Sequence, residues 1–241
     1  PLKSYYEKLN LNYNISSYNK FVKKHNINLS DVPNIVKSFS NLKVLVIGDL
    51  IIDEYIFCDP LGMSREDPSV VFTPKTSRKF VGGSGVVAAH AASFGCEVNY
   101  FTVSGNDQNA KFAERFLNKF KIKNHIIRLS DRPTTLKQRF KSDNKTVFKL
   151  SKLNSSFISH EVEKEILKKI KKIINNVNII IYSDFSYGCL TKNLIKNINT
   201  LARENNIVIS SDSQSSSQIG DLKKFNQIEL VTPTEYEARV S

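Results

Sequence analysis

The chain has no tryptophan, one methionine and only three cysteines among its 241 residues. Cys58, Cys96 and Cys189 are odd in number, far apart and without metal-ligand spacing. They read as reduced thiols in packing positions, which is the usage of a cytoplasmic protein rather than a secreted one. No stretch reaches the roughly 18 consecutive apolar residues that a spanning helix needs. No basic-then-apolar leader opens the chain, and because it begins at Pro1 rather than at a methionine, the natural N-terminus is expected upstream. The four histidines, His25, His90, His125 and His160, are scattered, so they form no metal cluster and no metal site is expected. The phosphate-cradling P-loop pattern is missing. So is a strand followed by Gly-x-Gly-x-x-Gly and a downstream acid, the mark of a dinucleotide-binding unit. No basic motif interleaves with stacking aromatics, so a nucleic-acid partner is not expected.

What is present is ordinary for a soluble α/β domain, with 40% hydrophobic and 24% charged residues. The net charge of +12 has two readings. One is a surface that attracts anionic ligands such as sugar phosphates or nucleotides. The other is a composition rich in Lys, Asn and Ile, whose lysines (Lys168, Lys169, Lys171 and Lys172 among them) decorate solvated helix faces.

The chain has two parts. Residues 1–41 are polar and weakly periodic, and read as a linker or helical lead-in. Within it Ser30-Asp31 caps a short helix whose stripe Val32, Ile35, Val36 and Phe39 is expected to pack the lead-in onto the domain after it. From Leu42 the texture changes. Lys43–Asp49 is a near-continuous apolar run ending in Gly and Asp, the pattern of a buried parallel strand. Further strands are read at 97–103, 125–129, 177–183, 207–211 and 228–231. Helices are read at 83–94, 107–120 (with a stripe of Phe112, Phe116 and Phe120), from Ser159, at 191–205 and from Thr234. Segments 134–140 and 145–150 alternate around Ser142-Asp143-Asn144, which is hairpin chemistry. The alternation predicts a mainly parallel sheet covered by helices on both faces.

Asp49, Asp184 and Asp212 each come after an apolar strand, and Asp53 returns a second carboxylate near the first. Ligands of open α/β sheets bind at that edge, where carboxylates accept hydrogen bonds from sugar hydroxyls. The plainer alternative is that each Asp only caps a turn. Gly82 and Gly83 open a small-residue helix and allow backbone N–H groups to approach a ligand. Lys137 and Arg139 suit phosphate contact, or else protect an exposed edge strand with charge.

Val46-Ile47-Gly48-Asp49 with Asp53, followed by Gly82-Gly83, resembles the N-terminal signature of the ribokinase (PfkB) sugar-kinase family. Pro133–Arg139 and Ser183–Gly188 resemble the kinase domain of bifunctional ADP-heptose synthases, which phosphorylates heptose 7-phosphate at its anomeric oxygen. Thr232–Ala238 resembles the family's stretch after a central strand. The resemblance covers about residues 42–241 and implies the first part of a three-layer ribokinase-like α/β sandwich with a small β lid at about 54–57, 70–80 and 134–150. It implies ATP and magnesium as cofactors and a sugar phosphate as substrate, bound by Asp49, Asp53, Gly82, Gly83, Lys137, Arg139 and Asp184. Asp212, Thr234, Glu235 and Glu237 would organise magnesium and nucleotide. The family's Gly-Ala-Gly-Asp segment, with its catalytic base, is expected beyond Ser241. A homodimer through the lid strands and a fused nucleotidyltransferase domain are the implied partners. Four positions depart from the family pattern: Val86 stands for an Asn on the glycine-opened helix, Tyr187 for a Lys, Asp212-Ser213-Gln214 for Asp-Pro-Lys, and Thr234 for an Asn. They keep a second reading open, a kinase-like binding or scaffolding domain without catalysis.

Overall fold

The computed structural model describes residues 15–28, 30–143, 145–214 and 220–240. The expected turn residue Asn144 lies outside them. The chain divides into two units, Pro1–Ser38 and Phe39–Ser241. In the first, helices α1 (Ile15–Lys24) and α2 (Val32–Ser38) are described. Within this unit, α2 buries none of its residues.

The second unit is built on a six-stranded sheet. Its strands are β1 (Lys43–Gly48), β4 (Glu97–Gly105), β5 (Lys123–Leu129), β8 (Ile179–Asp184), β9 (Val208–Ser213) and β10 (Leu230–Val231). They stand in the order β10-β9-β8-β1-β4-β5, and every pairing is parallel. Because successive side chains of a strand face opposite ways, β1 feeds two cores. Leu45 and Ile47 join Ile166, Ile170, Leu194 and Ile198 from α5 (His160–Lys171) and α6 (Lys192–Glu204). Val44 and Val46 join Ala88, Ala89 and Leu117 from α3 (Ser84–Ser93) and α4 (Gln108–Lys119). The helix starts obey local chemistry. Asp107, Ser159 and Thr191 accept hydrogen bonds from the backbone N–H three residues on, satisfying donors that have no partner inside the helix.

The order reverses at β1. The chain runs from it to β4 and β5 on one side and to β8, β9 and β10 on the other. A crevice opens at the carboxyl ends of strands where such a reversal occurs.

A second, four-stranded sheet stands over that edge as a lid. It is ordered β3-β2-β6-β7, from β2 (Leu50–Met63), β3 (Val70–Gly83), β6 (Thr135–Ser142) and β7 (Lys145–Lys152). β2 pairs antiparallel with β3 and parallel with β6, and β6 turns back into β7 as the expected hairpin, with Asp143 at φ 48°. The lid strands are longer than their sequence pattern foretold. β2 begins directly after Asp49 and continues through Pro60 and Gly62, with register shifts in its pairing to β3 between Phe57 and Cys58 and between Pro60 and Gly62. The phenylalanine stripe of α4 divides between two clusters. Phe112 and Phe116 pack on Leu50, Ile52, Val81 and Ala113 at the lid's root, and Phe116 and Phe120 pack on the cluster that holds Val44, Val46 and Leu117. No helix among the described residues is long and apolar enough to cross a membrane.

Candidate functional site

A cavity of about 320 Å³ lies between the lid and the carboxyl edge of the sheet. Six of the residues singled out in the sequence line it: Asp53, Gly82, Gly83, Lys137, Arg139 and Asp212. Strand pairing brings the lid residues together. Asp53 of β2 stands opposite Lys137 of β6, and Arg139 comes two residues on, on the same face of the sheet. Arg139 is ion-paired with Asp53, which raises the guanidinium pKa further through that hydrogen bond. Its guanidinium also lies 5.3 Å from the centroid of the Tyr55 ring. An outer hollow of about 400 Å³, lined by Tyr55, Phe57, Arg78 and Phe80, shares Asp53 with the cavity.

The glycines are demanded by close approach. A Cβ on Gly82 would sit 2.3 Å from Oδ2 of Asp53, so the bare backbone is what makes room for that carboxylate. Gly83 has φ +55°, and a Cβ there would meet the Asp49 carbonyl oxygen at 2.4 Å. The same carbonyl accepts the Ser84 N–H at 2.9 Å, fixing the start of α3 against β1.

Lys137 is buried, and its ammonium lies 5.5 Å from the Phe185 ring centroid and 5.0 Å from that of Tyr187. Ring faces carry negative electrostatic potential and favour a cation held there. These two aromatics come after Asp184 in the loop that leaves β8. Sequence reasoning includes both in the Ser183–Gly188 motif and notes Tyr187 only as a departure from a family Lys. Their alternation directly after a strand-end acid is the signal that could have found them.

Asp49 and Asp184 are placed differently from Asp53. Asp49 is buried and does not line the cavity. Its carboxylate accepts the backbone N–H groups of Phe185 at 2.8 Å, Tyr187 at 3.2 Å and Cys189 at 3.2 Å, and so shapes the loop that carries the two rings. Burial, with the nearby Asp184 charge, pushes its pKa up to about 6 against the pull of those three hydrogen bonds. Asp184 is buried too and is held by Lys224 at 2.7 Å and the Ser213 hydroxyl at 3.0 Å. Neither the Lys224 partner nor the anchoring of the loop has a local signature in the sequence.

At the other end of the edge, Asp212 is half-buried. It accepts hydrogen bonds from Gln214 Nε2 at 2.9 Å and Thr232 Oγ1 at 3.4 Å. Burial raises its pKa, and the charge of Glu237 adds to the rise. Thr234 and Glu237 close a reciprocal cap on α7 (Glu235–Val240). Thr234 donates its N–H at 2.8 Å and its hydroxyl at 2.7 Å to Glu237 Oε2, and accepts the Glu237 N–H at 3.3 Å. Glu235 pairs with Arg239 one turn along, at 2.7 Å on the exposed surface. Thr234, Glu235 and Glu237 therefore have helix-building partners in this structure and lie outside the cavity wall. Among the described residues, no group of three or more His, Cys, Asp or Glu is arranged to hold a metal ion.

The cavity thus offers a carboxylate, two cations, bare glycine backbone and a second acid across from them. That set suits a small molecule with hydroxyl groups and an anionic end. Val86 and Val87 form an apolar part of its wall.

Comparison with known proteins agrees with this architecture. The chain is similar to the bifunctional protein HldE of Aliarcobacter butzleri, 30% identical over 199 residues that make up 81% of this chain and 40% of the relative. The HldE protein of Nitratiruptor sp. is 26% identical over 198 residues, with the same coverage. The chain spans about 40% of the length of these curated relatives. Among solved structures, Arabidopsis thaliana ribokinase complexed with ribose and ATP superposes with a TM-score of 0.59 at 13% identity, over 81% of this chain and 61% of that one. The Thermotoga maritima ribokinase gives 0.55 at 17% identity, over 83% and 61%. At these identities the structures speak for the fold alone. The model of the pfkB family of carbohydrate kinases matches residues 41–241, and the chain belongs to that family.

Proposed function

We propose that the cavity is the acceptor site of a sugar kinase and that its substrate is a phosphorylated sugar, with heptose 7-phosphate converted to the 1,7-bisphosphate as the specific reaction. The observation that carries this reading is the convergence of Asp53, Lys137 and Arg139 from two lid strands onto the glycine-opened end of α3. Asp53 accepts hydrogen bonds from sugar hydroxyls, with Gly82 keeping the space around it clear. Arg139 and Lys137 meet the substrate's own phosphate, for which the planar guanidinium offers two parallel donors.

ATP and magnesium enter as the family's cofactors, and the carboxyl ends of β9 and β10 fit them. Magnesium takes one or two carboxylates together with phosphate oxygens and water. Asp212, at the end of β9 in the cavity wall, is the carboxylate that would hold such an ion. Bound there, magnesium and nucleotide would supply the phosphoryl group and neutralise its charge. The work of this chain's own residues is positioning and electrostatics, the main requirements of phosphoryl transfer. The lid closes over the substrate, and Phe185 and Tyr187 hold Lys137 in place.

A second copy of the chain is proposed to pair through the lid, whose outer strand β7 is exposed along its whole length and carries Val147, Phe148 and Leu150. Sedimentation at increasing concentration should then move from monomer to dimer mass. A fused nucleotidyltransferase domain in the longer protein is part of the same proposal.

Calorimetry with heptose 7-phosphate, free heptose and a panel of other sugars and sugar phosphates tests the substrate. Binding that requires the phosphate supports the reading. A second reading, a kinase-like binding or scaffolding domain, is favoured by Val86, an apolar side chain in the wall where the family pattern has Asn. Absence of binding to any member of the panel, in this chain and in the longer protein, would select it.

A further inference from the structure

A groove of about 360 Å³ runs along the outer face of α6, walled on its other side by residues 223–227, between β9 and β10. Five cationic side chains line it: Lys192, Lys196, Arg203, Lys223 and Lys224. No carboxylate does. Lys192 reaches Asp221 at 3.5 Å, and Lys224 is held by the buried Asp184. Lys196, Arg203 and Lys223 have no ion pair among the described residues. The groove is held in shape by its floor. Asn199 is buried, accepts the Tyr182 hydroxyl at 2.7 Å and donates to the Asn226 carbonyl at 3.2 Å, which ties the far wall to the helix. Gln227, at φ 61°, turns that wall back toward the sheet.

Concave surfaces lined by one sign of charge focus the field and concentrate counter-ions. The lysines on α5 differ, since Lys169 is paired with Glu165 at 2.7 Å. The lining of the groove contains no aromatic ring for a nucleobase to stack on, and Ile195 is its only large apolar side chain. Its volume lies at the small end for small-molecule sites. The groove shares no residue with the cavity under the lid.

We propose that this groove is a second, separate anion site that binds a phosphate-bearing small molecule through its phosphate groups. The inference does not depend on the sugar-kinase reading.

Inorganic tripolyphosphate is the probe, titrated by calorimetry into the whole chain. Two variants accompany it: Lys196→Ala with Arg203→Ala in the groove, and Lys168→Ala with Lys171→Ala as an equal charge loss on α5. All four side chains are exposed, so the folds should survive. The expected result is saturable binding with a component whose affinity falls about tenfold or more in the groove variant, the scale of losing charge-assisted hydrogen bonds. The α5 variant should stay within about twofold of the parent, as expected for groups outside the contact. Absence of saturable binding, an unaltered affinity in the groove variant, or an equal loss in the α5 variant would each overturn the proposal.

Discussion

Asp49 and Asp53 are four positions apart in sequence and belong to two different regions. Asp49 directly follows β1 of the parallel sheet, where both of its oxygens are taken by backbone N–H groups of the loop after β8. Asp53 sits in the lid, where its partner is the side chain of Arg139 and its neighbour is open cavity. An acid whose acceptor positions are filled by main chain is part of the scaffold. One that faces a side-chain cation and free volume can exchange its partner for a ligand. The difference is invisible in the motif Gly-Asp-x-x-x-Asp, because it is decided by what the rest of the chain brings to each carboxylate.

The largest expected effect comes from the sheet side. Asp49→Ala leaves three inward-facing N–H groups without their acceptor and should lower stability by roughly 3 kcal/mol, since an unsatisfied buried group costs about 1–3 kcal/mol. Urea unfolding at pH 5 measures it, and a loss below about 0.5 kcal/mol, ordinary for surface substitutions, would deny Asp49 its anchoring role.

A pH series sharpens the same contrast. The Asp49 pKa rises from 3.8 to about 6 on folding, so between those values the folded state binds more proton than the unfolded one. Stability from this group is therefore greatest below pH 4 and is lost as pH climbs to about 6. The change is of the order of 3 kcal/mol, from about 1.4 kcal/mol per unit. Asp49→Asn should flatten that slope in denaturation midpoints; an unaltered slope would assign it to other groups.

On the lid side the effects should appear in binding rather than in folding. Gly82→Ala drives a methyl group into the Asp53 carboxylate. Sugar affinity should fall about tenfold or more, in keeping with a displaced charged hydrogen bond. An unchanged calorimetric affinity would remove Asp53 from the acceptor site. Arg139→Ala is the mildest. Its pair is partly exposed, so stability should shift by less than about 1 kcal/mol. Phosphorylated sugars should lose affinity about fivefold more than free ones, as one charge-assisted contact disappears. Equal losses for both would take the phosphate role away from Arg139.

Much of the core was legible in the sequence because its signals are local. Val44–Ile47 reads as a buried strand from its unbroken apolar run, and Asp107, Ser159 and Thr191 announce helix starts by their chemistry. The lid was legible only in outline. β2 runs on through Pro60 and Gly62, which sequence patterns treat as breakers but an exposed, irregularly paired strand end tolerates. Asp53, Gly82, Gly83, Lys137 and Arg139, which line the cavity, stood out in the sequence, whereas Phe185 did not and Tyr187 did so only as a departure from a family Lys. The pairing of Asp184 with Lys224 left no trace, because nothing in either segment specifies the other. The α4 phenylalanines read as one stripe, but a helix touching both a sheet and a lid root has two apolar directions, and periodicity reports only their sum.

The parallel pairing of β2 with β6 joins stretches of chain far apart, as in the hydrogen bond from Gln138 to Glu54 across 84 positions. Ordering so long a loop costs entropy before any lid contact repays it, and pairings of this kind form slowly. During synthesis, β2 and β3 emerge and must wait for β6 before the cavity has its second wall. Asp53 and Arg139 meet only once the chain has been made past β6, and a partial melting that detaches β6 would erase the cavity while leaving the parallel sheet standing.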